Sequence, residues 1–164
     1  MNIKLKKINK DDKSILENMF QLYMYDITRF LDIDINKHGL YQYDFIDCYW
    51  INKNYYPYFI YLDNKICGFV LIDNDFLILE GKDKQYNLSE FFILNKYRRK
   101  GIGKVVANKL FDMYKGEWEI RPIPRSPEAY SFWDTVIKEY TKDNYKVSTI
   151  PNDSRKMFTF STKK

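Results

Sequence analysis

Apolar and polar positions alternate from Asn2 to Ile8, the period of a strand with one covered face. Asp11 and Asp12 then offer helix-capping carboxylates. Behind them Ile15, Leu16, Met19, Phe20, Leu22, Tyr23 and Ile27 recur at helical spacing. Residues 31–46 keep no clean period, and a loop with a short helix is expected there. Within 58–72 two apolar runs, YFIYL and KICGFVLI, flank Asp63-Asn64, a pair that tolerates left-handed backbone and predicts a tight hairpin. Asn74 to Gln85 is polar and reads as a loop. Leu88 to Leu94 reads as a strand whose apolar positions run on without a break after Glu90, as for a strand buried on both faces.

Gly103 to Tyr114 is helical by spacing, with Gly116 as a left-handed cap. Trp118 to Ile120 makes a short strand, and Pro122 and Pro124 break regularity after it. Pro127 suits the first turn of a helix carrying Ala129, Phe132, Trp133, Val136, Ile137 and Tyr140. Tyr145 to Ile150 and Met157 to Phe160 read as a closing strand pair. The order β-α-α-β-β-β-α-β-α-β-β predicts a mixed sheet with helices on its faces, in the α/β (α+β) class. At 164 residues, with no repeat or linker, one domain over 1–164 is expected.

Composition changes this picture in a few places. Fifteen Tyr and 12 Phe supply a large aromatic core, and some of the Tyr could line a pocket with their polar tips. A net charge of +5 fits either a polyanionic partner or a Lys-rich solvated surface. Cys48, Cys67 and the single His38 match no metal-ligand spacing, so no metal is expected and the cysteines read as free thiols. The N-terminus lacks the apolar run of a secretory signal, and no stretch reaches the roughly 18 apolar residues of a membrane span. A cytoplasmic protein is expected.

The segment that carries chemistry is Arg98-Arg99-Lys100-Gly101-Ile102-Gly103-Lys104, between a buried strand and a helix. A helix start leaves backbone N–H groups unpaired and carries partial positive charge. Gly101 and Gly103 remove side chains that would hold a ligand off that backbone, and Arg98, Arg99, Lys100 and Lys104 surround it with charge. A phosphate or pyrophosphate is the natural occupant. The spacing is neither a Walker A loop nor a dinucleotide fingerprint.

This segment resembles the acyl-CoA signature of the Gcn5-related N-acetyltransferases, [Arg or Gln]-x-x-Gly-x-[Gly or Ala], here Arg98, Gly101 and Gly103. WEIRPIPRSPEAYSFW resembles the family's second region through Ala129 and Phe132. The resemblance implies a V-shaped splayed sheet of about seven strands, mostly antiparallel, and acetyl-CoA as cosubstrate. It further implies that the pyrophosphate rests on the amides of Arg99 to Lys104, including Lys100 and Ile102. The pantetheine arm would run beside Ile93 and Leu94, where a backbone amide polarises the thioester carbonyl. Ser126, at the place of the family's Asn, and Trp133, at the place of its proton-donating Tyr, would border the cofactor.

The reaction needs a base to free an amine that is protonated at neutral pH. Glu90 is the candidate, a carboxylate interrupting an apolar strand, where lost hydration raises its pKa; a solvated strand start is the alternative. Since indole is no practical acid, Tyr130 is the candidate acid, or none is needed. Asp32, Asp34 and Asp44 either attract a cationic substrate or form a solvated face. Tyr41, Tyr43, Tyr49, Trp50, Tyr55, Tyr56 and Tyr58 form a pocket wall or belong to the core. Three functions compete. Acetyl transfer to a primary amine of a small molecule or peptide, through a ternary complex, comes first. A non-catalytic acyl-CoA-binding module and a basic nucleic-acid-binding protein follow. A monomer or homodimer is expected, with no membrane partner.

Overall fold

The computed structural model describes residues 1–74, 85–150 and 155–163. The expected polar loop after Asn74 therefore falls almost wholly outside the described residues. Seven strands form one sheet in the order β1-β2-β3-β4-β5-β7-β6. They are β1 (Ile3–Lys7), β2 (Tyr56–Leu62), β3 (Lys65–Asp73), β4 (Gln85–Ile93), β5 (Glu117–Ile120), β6 (Tyr145–Thr149) and β7 (Lys156–Ser161). The helices are α1 (Lys13–Ile27), α2 (Cys48–Ile51), α3 (Ile102–Met113) and α4 (Pro127–Thr141). Every neighbouring pair is antiparallel except β4 and β5, which are parallel.

The hairpin between β2 and β3 turns on Asp63 and Asn64, both left-handed at φ 47° and 66°. This is the turn whose twist matches that of the strands it joins. The unbroken apolar run of β3 is buried because its two faces serve two cores. Val70 and Ile72 pack with Leu110 and Phe111 of α3, Ile137 of α4 and Phe158 of β7. Phe69 and Leu71 pack on the other side with Leu16, Phe20 and Tyr23 of α1. The aromatic stretch 41–58 divides in the same way: Tyr56 and Tyr58 join the first core, and Tyr41, Tyr43, Tyr49, Trp50 and Tyr55 the second.

Three local expectations change. Asp12 precedes α1, but its side chain makes no capping bond, because residues 10–12 already form a 3-10 turn. Gly116 does not take a left-handed cap. The chain leaves α3 through Tyr114, and the backbone of Gly116 bonds to Thr162 instead. The short helix expected within 31–46 lies just beyond it, at Cys48–Ile51. Among the described residues no helix is long and apolar enough to cross a membrane.

The site is made by a parting of two strands. β5 pairs with β4 only from Gln85 to Leu88, while β4 runs on to Ile93 held by β3 alone. Gly68 faces Ile93 across the β3–β4 pair, and a Cβ there would collide with the backbone carbonyl of Phe92. Backbone cannot yield as a side-chain tip can. Gly68→Ala is therefore expected to cost about 1–3 kcal/mol, the range for overpacked sites. Urea unfolding of wild type and variant checks this, as a lower midpoint at unchanged slope.

Candidate active site

A cleft of about 990 Å³ opens where β4 and β5 part, between the C-terminal half of α1 and the N-termini of α3 and α4. At one end the chain turns from β4 into α3 through a short 3-10 turn, Asn95–Tyr97. Arg99 and Gly101 are left-handed, at φ 58° and 75°. Gly101 is the residue capping α3, and a Cβ built on it meets nothing within 4 Å. Its bare Cα faces open space, so a bulky anion can reach the first N–H groups of the 12-residue α3, which lack partners within the helix. Gly103 serves another need: its Cβ would press on the Phe132 ring of α4, so glycine here lets the two helices close.

Most of the expected cofactor residues meet in this cleft. Ile93, Arg98, Arg99, Gly101, Ile102, Gly103, Lys104, Ser126 and Trp133 all line it. Lys100 lies outside the lining, its ammonium over the Tyr97 ring. Lys104 pairs with Glu139. Ser126 caps α4, its Oγ accepting the Ala129 N–H at 3.2 Å. Trp133 is buried edge-on to Phe91 and Phe132. The Leu94 N–H donates to the Cys67 carbonyl at 2.8 Å and belongs to the sheet. Donor and acceptor groups on a strand alternate sides, so Ile93, opposite Gly68 in a non-hydrogen-bonded pair, turns its N–H and C=O away from β3 and toward the cleft.

Tyr130 is not in the cleft. It lies against Phe158 with ring centroids 5.2 Å apart, because its position on α4 faces β7. The phenols that reach Glu90 are others. Tyr23 of α1 donates to Glu90 Oε2, and Tyr43, from the irregular segment after α1, donates to Oε1 at 3.3 Å. Glu90 is half-buried and does not itself line the cleft, although its neighbours Tyr23, Ser89 and Phe91 do. Burial lifts its carboxyl from the ordinary 4.5 to about 7, against the pull of the two phenol bonds and with help from the charge of Asp73. Burial, then the charge of Glu90, holds both phenols well above their ordinary range.

The apolar stripe of α1 concealed two polar contributors. Tyr23 and Asp26 both line the cleft, and Asp26 accepts from the Arg98 guanidinium at 2.7 and 3.3 Å. Their three-residue spacing is visible in the sequence, but their partners, 67 and 72 positions away, are not. Tyr43 is held over Glu90 by a clamp at Tyr41, whose backbone exchanges two bonds with the Gln21 amide at 2.8 and 3.0 Å. Asp32, Asp34, Asp44 and His38 are exposed on the segment between α1 and α2 and do not line the cleft. Cys48 and Cys67 are free thiols, and no group of metal-ligating side chains occurs among the described residues.

Residues 18–125 match the family model of the acetyltransferase (GNAT) family, a span from α1 to the approach to α4. No curated protein matches. Solved structures share the fold. An acetyltransferase from Thermus thermophilus superposes with a TM-score of 0.73 at 10% identity, covering 98% of this chain and 97% of its own. The PaiA N-acetyltransferase from Thermoplasma acidophilum, in complex with coenzyme A, superposes at 0.63 with 15% identity, covering 98% and 99%. AAC(6')-Ib in complex with paromomycin and acetyl-CoA superposes at 0.64 with 15% identity, covering 98% and 94%.

The raised Glu90 carboxyl has a consequence for stability. The unfolded chain loses this proton near 4.5 and the folded chain near 7, so the favourable contribution of neutral Glu90 is complete below 4.5 and is lost as pH rises through about 7. Glu90→Gln is expected to be more stable than wild type at about pH 8, with the gap closing toward about pH 4.5. Urea unfolding of both proteins at the two pH values checks the sign.

Proposed function

The chain belongs to the acetyltransferase (GNAT) family and uses acetyl-CoA, and from that premise we propose that it moves the acetyl group directly to a primary amine of a small molecule or peptide, with Glu90 as general base. The observation that carries this reading is the placement of a carboxylate titrating near 7 beside the lining residues Tyr23, Ser89 and Phe91 of the same cleft that holds the Gly101 cradle.

The roles follow from the geometry. The amides at the start of α3 hold the pyrophosphate where Gly101 leaves room for it, with Arg99 adding charge from the surface. The pantetheine arm lies along β4 beyond Leu88, where β5 has left the strand's edge uncovered. The Ile93 N–H faces that space and donates to the acyl oxygen as negative charge develops on it. Glu90, ionised in half of the molecules at about pH 7, accepts a proton from the incoming ammonium through one intervening water and later releases it to solvent. The amine nitrogen bonds to the acyl carbon, the carbon–sulfur bond breaks, and the sulfur, whose thiol has an ordinary pKa near 8.5, departs as thiolate without a side-chain acid; the second proton shed by the nitrogen passes through solvent to that thiolate. Tyr130 and Trp133, both engaged in packing, are left out of proton transfer. Asp73, beside Glu90, favours a cationic acceptor through its charge.

Calorimetric titration of acetyl-CoA tests the cradle. Wild type should bind, and Gly101→Val should bind at least about 100-fold more weakly, because its side chain stands where the anion must approach the amides. No binding by wild type would remove the acetyl-CoA assignment. Glu90→Gln should lower kcat/KM by roughly 100- to 10,000-fold and abolish a rise in rate with pH centred near 7. The measurement is thiol release with a panel of diamines, aminoglycosides and peptide amines; silence of wild type toward all of them would refute an amine acceptor.

A further inference from the structure

Arg98 opens the cofactor loop, yet its guanidinium is committed elsewhere. Its Nε donates to the Ile93 carbonyl at 2.7 Å, and its two terminal nitrogens donate to the Asp26 carboxylate at 2.7 and 3.3 Å. The planar fork spans both acceptors at once, a geometry that arginine holds and lysine does not. It also lies over the Phe92 ring at 5.5 Å, and Phe92 in turn meets the Tyr23 ring at 5.5 Å. Both ends of the ion pair are only about a third exposed, so solvent screens them less than a surface pair.

The residue held by Nε is the one whose N–H is turned into the cleft. Ile93 ends β4 with no β5 partner beside it, so that side of its backbone lacks the ladder that fixes a strand interior. A donor that stabilises a developing charge must be held in place before the reaction, since reorienting it would consume the gain. Arg98 replaces the missing ladder bond on the Ile93 carbonyl, and Asp26 fixes Arg98 from α1. One turn earlier on the same helix, Tyr23 fixes Glu90.

We propose that Asp26, acting through Arg98, is a positioning residue for the Ile93 amide, so that α1 aligns the acyl-oxygen donor and the base from a single rigid face. The inference rests on the acetyl-CoA reading above and adds to it that Arg98 serves the acyl end of the site, not the pyrophosphate. The two roles differ in what they predict. A pyrophosphate ligand would show its loss in affinity. A brace for the Ile93 amide would show it in polarisation of the thioester carbonyl, with affinity nearly kept.

Infrared difference spectra of acetyl-CoA carrying ¹³C at the acetyl carbonyl, bound to the full-length protein, separate these, with calorimetry alongside. Wild type should lower the carbonyl stretch relative to free acetyl-CoA. Asp26→Asn should bind acetyl-CoA within about threefold of wild type, as expected for loss of a partly screened ion pair, while its carbonyl band returns toward the free position. Asp26→Glu should restore the shift. Should Asp26→Asn fail to fold, Arg98→Met, which fills similar space and donates nothing, should give the same return of the band. A band unmoved by these variants overturns the proposal. So does an affinity loss beyond about tenfold with the band still shifted, which would make Arg98 a phosphate ligand. A wild type that does not bind acetyl-CoA removes the acetyl-CoA reading itself, and the first titration shows that before any variant is compared.

Discussion

Everything in the site depends on β4 being left by one neighbour while it is kept by the other. Parallel pairing with β5 ends at Leu88, and antiparallel pairing with β3 continues to Ile93. A strand edge without a partner presents backbone donors and acceptors that must be satisfied in some other way. Here that edge forms one wall of the cleft, where a ligand's amides can pair with it and where Arg98 already takes the last carbonyl. Gly68 permits the close passage of β3 beneath that point, since any larger residue would meet the backbone of Phe92. Pro122 and Pro124 follow β5 directly and cannot extend it as a regular strand, which helps to keep the gap open.

Burying Glu90 works against stability, and the surroundings limit the penalty without removing it. Two phenol hydroxyls donate to its two oxygens, yet the carboxyl still titrates near 7, because desolvation outweighs them and Asp73 adds like charge. Complete satisfaction by stronger donors would return the group to an ordinary carboxylate, a poor base at neutral pH. An apolar pocket with no donor would keep it protonated. The tyrosines hold it between these limits, and both pack on the Phe20 ring: Tyr23 also meets Phe69 and Phe92, whereas Tyr43 rides on an irregular segment pinned through Gln21.

Much was legible in the sequence because it rests on local physics. The hairpin at Asp63-Asn64 follows from turn chemistry, the amphipathic helices α1, α3 and α4 from their period, and the placing of Phe92 and Ile93 in two different cores from the apolar run of β4 after Glu90. The Gly101 cradle needs only a strand, a helix start and a residue free to adopt φ 75°. Glu90 stood out as one charge in an apolar strand. Expectations slipped where a local preference met a competing partner. Asp12 was displaced from capping by a 3-10 turn, and Gly116 was drawn to Thr162 rather than into a left-handed cap.

Local patterning thus settled the order of elements and the class of the sheet. Tertiary structure alone decided which side chains share the cleft. Tyr130 and Trp133, close on one helix, turn to different neighbours because α4 packs against β7 along one stripe and against Phe91 of β4 along another. Tyr23 and Asp26 look like ordinary positions on α1 until packing brings Glu90 and Arg98 beneath them. Periodicity records which face of a helix is covered. What that face meets is set by long-range packing, and no spacing along the chain encodes it.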